Sequence, residues 1–164
     1  MQNAKDTFYI TLRDRIATIN PARTVLVRGQ SRPGVLVEEN ELASAFDQHD
    51  AFRLRWTTTN IDSRGSLPLV TMRCEIHYAT AGNSGNGGMD RGRLLTAMDA
   101  ELAAAINAIP QRTAKNRYSA AGPTATTTNI FWNDVTFAST EVEGELLRRT
   151  ATVDVYSYQE AGEL

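Results

Sequence analysis

The chain holds a single cysteine, Cys74, among 164 residues. One thiol cannot close an intrachain disulfide, which excludes a small secreted fold stapled by its own bridges. Lysine is nearly missing too: of 17 basic residues only Lys5 and Lys115 are Lys, and the rest are Arg. Arginine pairs bidentately and is weakly hydrated, which suits protein interfaces; a GC-rich genome produces the same bias. There are two histidines, His49 and His77, and no Cys or His pair at metal-ligand spacing. No Asn-x-Ser/Thr acceptor occurs, and no run approaches 18 apolar residues. The opening MQNAKDTFYITL lacks a basic segment followed by a long apolar stretch. The expectation is a protein of a bacterial-type cytoplasm, or of a particle assembled there, with no membrane partner.

What remains suits one globular domain over residues 1–164. Hydrophobic residues make up 41% and charged residues 22%, enough to bury a core. The net charge of −2 creates no strong field of either sign, so long-range steering towards nucleic acid or an anionic membrane is not implied.

Two helices stand out. Phe8, Leu12, Ile16 and Ile19 form one apolar stripe, with Asp6 or Thr7 as the expected cap and Asn20-Pro21 as the stop. A second helix is predicted from about Gly92 to Ile109. Leu94, Leu95, Met98, Leu102, Ile106 and Ile109 share its apolar face, Asp90 is its cap and Pro110 its stop. Strands are predicted at Thr24–Arg28, Val35–Glu38, around Phe52–Trp56, around Val70–Tyr78, at Ile130–Phe137 and at Leu147–Tyr158, with Ser31–Gly34 as a turn. The order is helix, four strands, helix, two strands. It implies an α+β fold: a mostly antiparallel or mixed β-sheet with both α-helices packed on one face. Long loops are expected at Glu39–Asp50, Thr80–Met89 and Gln111–Thr128.

Several groups invite a chemical reading. The loop Gly82-Asn83-Ser84-Gly85-Asn86-Gly87-Gly88 precedes a helix and could present backbone N–H groups to an anion. It lacks the Lys and the glycine spacing of a phosphate-binding loop, so an arm for a neighbouring subunit is the preferred reading. Cys74 falls on the apolar face of its strand and His77 on the polar face, so the pair is not set for nucleophilic catalysis. Glu38, Glu39 and Glu41, and Glu141, Glu143 and Glu145, are acidic clusters that could pair carboxylates for catalysis or a metal but read first as solvated faces, the second cluster also as an oligomer or tube interface. Arg112, Lys115 and Arg117 form a positive patch expected on a loop facing a DNA channel or an acidic neighbour. Phe131 and Trp132, adjacent in one strand, must point to opposite faces, as must Val155 and Tyr156. No catalytic, cofactor-binding or metal-binding residue is assigned.

The run Arg32-Pro33-Gly34-Val35-Leu36-Val37-Glu38-Glu39 follows an N-terminal helix and a short strand. Two alternating strands, a glycine loop, the helix Arg93-Leu94-Leu95…Met98…Leu102, and strands with Asn129-Ile130-Phe131-Trp132-Asn133-Asp134-Val135 and Ala151-Thr152-Val153-Asp154-Val155-Tyr156 come after it. This order resembles the tail terminator (tail completion) proteins of long-tailed bacteriophages. The resemblance implies a structural virion protein of the tail–neck region, assembled in the host cytoplasm. It would form a ring, hexameric in that family, that caps the tail tube protein, stops polymerisation and docks the head-side connector. DNA would pass through its channel without sequence-specific binding. The resemblance brings no catalytic residue or cofactor. The alternatives are a small nucleotide- or anion-binding enzyme using Gly82–Gly88, and a nucleic-acid-binding module using Arg112, Lys115 and Arg117.

Overall fold

The computed structural model describes residues 1–41 and 48–163. The middle of the loop expected at Glu39–Asp50 therefore lies outside the described residues. The fold is α+β. Helix α1 spans Gln2–Ile19 and α2 spans Arg91–Ile106. The strands are β1 (Thr24–Val27), β2 (Gln30–Pro33), β3 (Val35–Val37), β4 (Phe52–Asp62), β5 (Leu69–Thr80), β6 (Arg112–Ser119), β7 (Gly122–Trp132), β8 (Thr136–Phe137), β9 (Glu141–Glu143) and β10 (Leu146–Tyr158).

The main sheet runs β3-β4-β5-β10-β7-β6, with β8 and β9 also paired to β10. Its centre is the antiparallel ladder from Leu147 opposite Thr80 to Tyr158 opposite Leu69. Strand β3 lies parallel to β4, so the sheet is mixed. Period-two alternation puts Val70, Met72, Cys74, Ile76 and Tyr78 of β5 on one face with Ala151, Val153 and Val155 of β10, all buried. Both helices cover that face. α1 contributes Ala4, Phe8, Leu12 and Ile16, and α2 contributes Leu95, Met98, Leu102, Ala105 and Ile106. The Phe8 ring stands edge-on to Trp56 at 5.9 Å and to Trp132 at 5.7 Å, locking α1 against both halves of the sheet.

The open face is polar. Arg73 pairs with Asp154 at 3.0 Å, and His77 Nδ1 lies 3.1 Å from the Thr150 hydroxyl. Trp132 joins the core, where its indole N–H donates to the Ile106 carbonyl at 2.8 Å. Phe131 turns to the open face opposite Tyr156 on the neighbouring strand.

Several expectations need correction. α1 begins at Gln2, so Asp6 and Thr7 lie inside it and neither caps it. The Thr7 hydroxyl instead accepts from the Asn116 N–H at 3.0 Å, closing the outer edge of β6 against the helix. α2 stops at Ile106, and Ile109 is 91% exposed; Arg15 donates to the carbonyls of Ala105 and Pro110 at 2.8 and 3.1 Å and takes the place of a further turn. Ser31–Pro33 belongs to β2. The turn falls at Arg28-Gly29, both with positive φ, as a tight two-residue hairpin requires. The strand expected at Ile130–Phe137 breaks after Trp132. The loop expected at Gln111–Thr128 is the long hairpin β6–β7.

Because Leu102 is wholly buried, Leu102→Ala should lower unfolding free energy by about 2–5 kcal/mol. Ile19→Ala, at a position 43% exposed, should cost about 1 kcal/mol or less. Urea unfolding of the two variants checks the ranking; equal costs would contradict the placement of the core.

Candidate functional site

The glycine loop is folded back on α2. The Asn83 side chain accepts from the Gly85 N–H at 2.9 Å, and the Gly88 N–H donates to the Asn83 carbonyl at 3.2 Å. Asp90 stands at the N-terminal boundary of α2 but does not cap it. Its carboxylate accepts from the Asn83 N–H at 2.8 Å, and that bond above all holds its pKa below the ordinary carboxylate value. Gly82 has φ +79°, and a Cβ there would meet Arg91 Cγ at 2.7 Å and the Asp90 carboxylate at 2.9 Å. Only glycine fits that position.

Beside this loop lies the β9–β10 hairpin. The Arg91 guanidinium donates to the Glu145 carbonyl at 2.7 Å and ties the two together. A cleft of about 550 Å³ separates them, lined by Gly82, Ser84, Gly87, Gly88, Arg91 and Gly144 among others. The structure thus brings the Gly82–Gly88 loop (Gly82, Asn83, Ser84, Gly85, Asn86, Gly87, Gly88) and Glu141, Glu143 and Glu145 to one end of the molecule. Glu143 is bound to Arg148. Met89 is 91% exposed and Val142 71% exposed at the same end. An anion at the α2 N-terminus would meet the Asp90 carboxylate already there, so the cleft is poorly suited to phosphate.

Arg112, Lys115 and Arg117 do not form a loop patch. They lie on β6; Arg112 and Arg117 are exposed, but Lys115 is fully buried. The physical reason is an irregular register. Ala114 pairs with Asn129 and Asn116 with Ala125, so Lys115 faces Thr126–Thr128 without a ladder partner. Its ammonium donates to Glu163 at 2.5 Å and to the Tyr158 carbonyl at 2.6 Å, with side-chain exposures of 0% and 3% for the pair. The Thr127 and Thr128 N–H groups, freed from the ladder, donate to the Glu160 carboxylate at 2.8 and 3.0 Å. Hydrogen bonds led by the Thr127 hydroxyl hold the Glu160 carboxyl down to about 2. Burial alone would raise the Glu163 carboxyl, but bonds from Lys115, the Glu160 N–H and Asn3 outweigh it and lower it. Nothing in the sequence marks this arrangement except that one of the two lysines sits in a Thr-rich alternating stretch.

The other candidates are spoken for. Glu38, Glu39 and Glu41 pair with Arg55, Lys5 and Arg32. Cys74 is buried, and burial pushes its thiol far above the ordinary value. The Tyr78 hydroxyl, raised by burial and then by Asp99, donates to that carboxylate, which Arg149 holds from the other side. Among the described residues no group of three His, Cys, Asp or Glu side chains could hold a metal ion, and no helix is long and apolar enough to cross a membrane. No protein-family model matches the chain, and no curated protein does.

Two predictions follow from the buried pair and its turn. Lys115→Met should destabilise by about 3–5 kcal/mol because it strands the Glu163 charge, and adding Glu163→Leu should recover most of the loss. No recovery in the double variant, measured by urea unfolding, would contradict the pairing. Glu160 and Glu163 have lowered folded-state values, so they stabilise fully above about pH 5. For Glu160 that stability drains as pH falls from 4.5, the ordinary value, towards about 2, and Glu163 loses its share in the same direction below 4.5. Thermal midpoints measured across this range should fall less steeply for Glu160→Gln than for the wild type.

Proposed function

We propose that the chain is a structural subunit of a long-tailed phage particle. It closes into a ring on the end of the tail tube, stops tube growth and offers a docking face to the head-side connector, while DNA passes through without base-specific contacts. The observation that carries this reading is the exposed end built from the glycine loop and the β9–β10 hairpin. There Arg91 fixes two segments distant in sequence into one shape with bare Met89 and Val142. Exposed apolar side chains rimmed by charge favour a protein partner. Six-fold closure and the tube and connector as partners rest on the resemblance in element order. A pocket shaped for a nucleotide is less favoured because of Asp90, and a basic nucleic-acid patch because Lys115 is buried.

Native mass spectrometry of the purified chain should give a fixed multiple of 18.0 kDa, six by the resemblance. Added to polymerising tube protein, the chain should shorten the tubes seen by electron microscopy. Assembly should weaken in 1 M salt, where the Debye length falls to about 3 Å from about 10 Å at 0.1 M. A monomer at all concentrations that leaves tube length unchanged would sink the reading.

A further inference from the structure

The helical layer carries a second exposed apolar surface, at the opposite end of α2. A groove of about 640 Å³ runs between the C-terminal halves of the helices, lined by Arg15, Thr18, Ile19, Ala104, Ala108 and Ile109 among others. Ile109 is almost wholly exposed on one lip and Ile19 half exposed on the other. The alanines keep the floor shallow enough for a partner's side chain. Arg15 lies in this groove, its guanidinium 5.0 Å over the Trp132 ring and donating to the carbonyls of Ala105, Ala108 and Pro110, with no carboxylate bound to it among the described residues. Asp14 also lines the groove, and its carboxylate is neutralised by Arg13 at 2.8 and 2.9 Å rather than by Arg15. The groove therefore offers apolar cover and a cation without an anionic partner.

The β9–β10 hairpin offers the converse. Val142 is bare on a three-residue edge strand, and the Glu141 and Glu145 carboxylates have no cationic partner among the described residues. The two surfaces sit at opposite ends of a 16-residue helix, about 24 Å apart at 1.5 Å per residue. A two-fold contact of groove with groove would face Arg15 against Arg15, which like charges disfavour. A head-to-tail contact joins unlike surfaces and pairs the charges.

We propose that the β9–β10 hairpin of one copy seats in the α1–α2 groove of the next, with Val142 between Ile19 and Ile109 and the hairpin carboxylates facing Arg15. This rests on the ring reading above and specifies which surfaces close it. Val142 and Ile109 are exposed in the single chain, so substitutions there leave the fold intact, and Cys74 is buried and silent.

The test mixes two single variants, Val142→Cys and Ile109→Cys, under mild air oxidation. The mixture should give disulfide-linked dimers containing one chain of each kind, while either variant alone should not. The double variant should give a ladder ending at the ring size. Ile109→Asp should raise the concentration for half-assembly at least about tenfold with an unchanged thermal midpoint. Dimers of Val142→Cys with itself, or oligomers that never cross-link in the mixture, would overturn this contact while leaving the ring reading standing. A chain that stays monomeric by light scattering at all concentrations would overturn both.

Discussion

The ladder between β5 and β10 carries the architecture. It is the longest continuous pairing in the fold, and every other strand of the main sheet is hung from one of its two members or from a neighbour of one. Its alternation decides which face is dry. A slip of one residue in β5 would turn Met72, Cys74 and Ile76 out to water and bring Arg73 and Glu75 under the helices; the same slip in β10 would expose Val153 and Val155 and bury Asp154. With the register set, α1 and α2 have only one surface to cover, and Phe8 and Trp132 set where they sit on it.

Both ends of the β5–β10 ladder bring together segments distant in sequence. At one end, Thr80 opposite Leu147 delivers the glycine loop and the β9–β10 turn side by side. At the other end, the C-terminal turn after Tyr158 meets the β6–β7 hairpin through Glu160 and Glu163. The buried Lys115–Glu163 pair gains little over a well-packed apolar pair in net stability, since desolvating two charges costs about as much as their attraction returns. What it supplies is register: only one arrangement of Ala114, Lys115 and Asn116 against Ala125–Asn129 lets the ammonium reach a carboxylate and the Tyr158 carbonyl together.

How far the sequence foretold this depends on where the signal is local. Both helices, the α+β class, the dry face of β5 and β10 and the buried thiol of Cys74 follow from periodicities of 3.6 and 2, and the structure agrees with them. The β6–β7 hairpin escaped because its outer half stands clear of the core. From Thr124 to Asn129 the only apolar side chain is that of Ala125, so no hydrophobic rhythm marks a strand. The basic cluster misled for a related reason: charge spacing along the chain does not say that the middle cation has an acid waiting 48 residues later. Nor could the meeting of Arg91 with Glu145 be read, since it depends on a strand register that only the folded sheet sets.

Every unpaired strand edge is a template for uncontrolled growth, so the way a sheet finishes its edges bears on the proposed assembly. Here the edges are treated differently. The outer edge of β6 is held where the Thr7 hydroxyl, donating to the Asn3 carbonyl of its own helix, accepts from the Asn116 N–H. The far end of the main sheet finishes in β3, whose three residues are all buried. β9 is kept to three residues with Glu141 and Glu143 on either side of Val142, too short and too charged to recruit a strand indiscriminately. On the proposed contact, an open edge of that kind would take a groove and a cation rather than another edge. Such selectivity separates a ring that closes from a sheet that keeps adding strands.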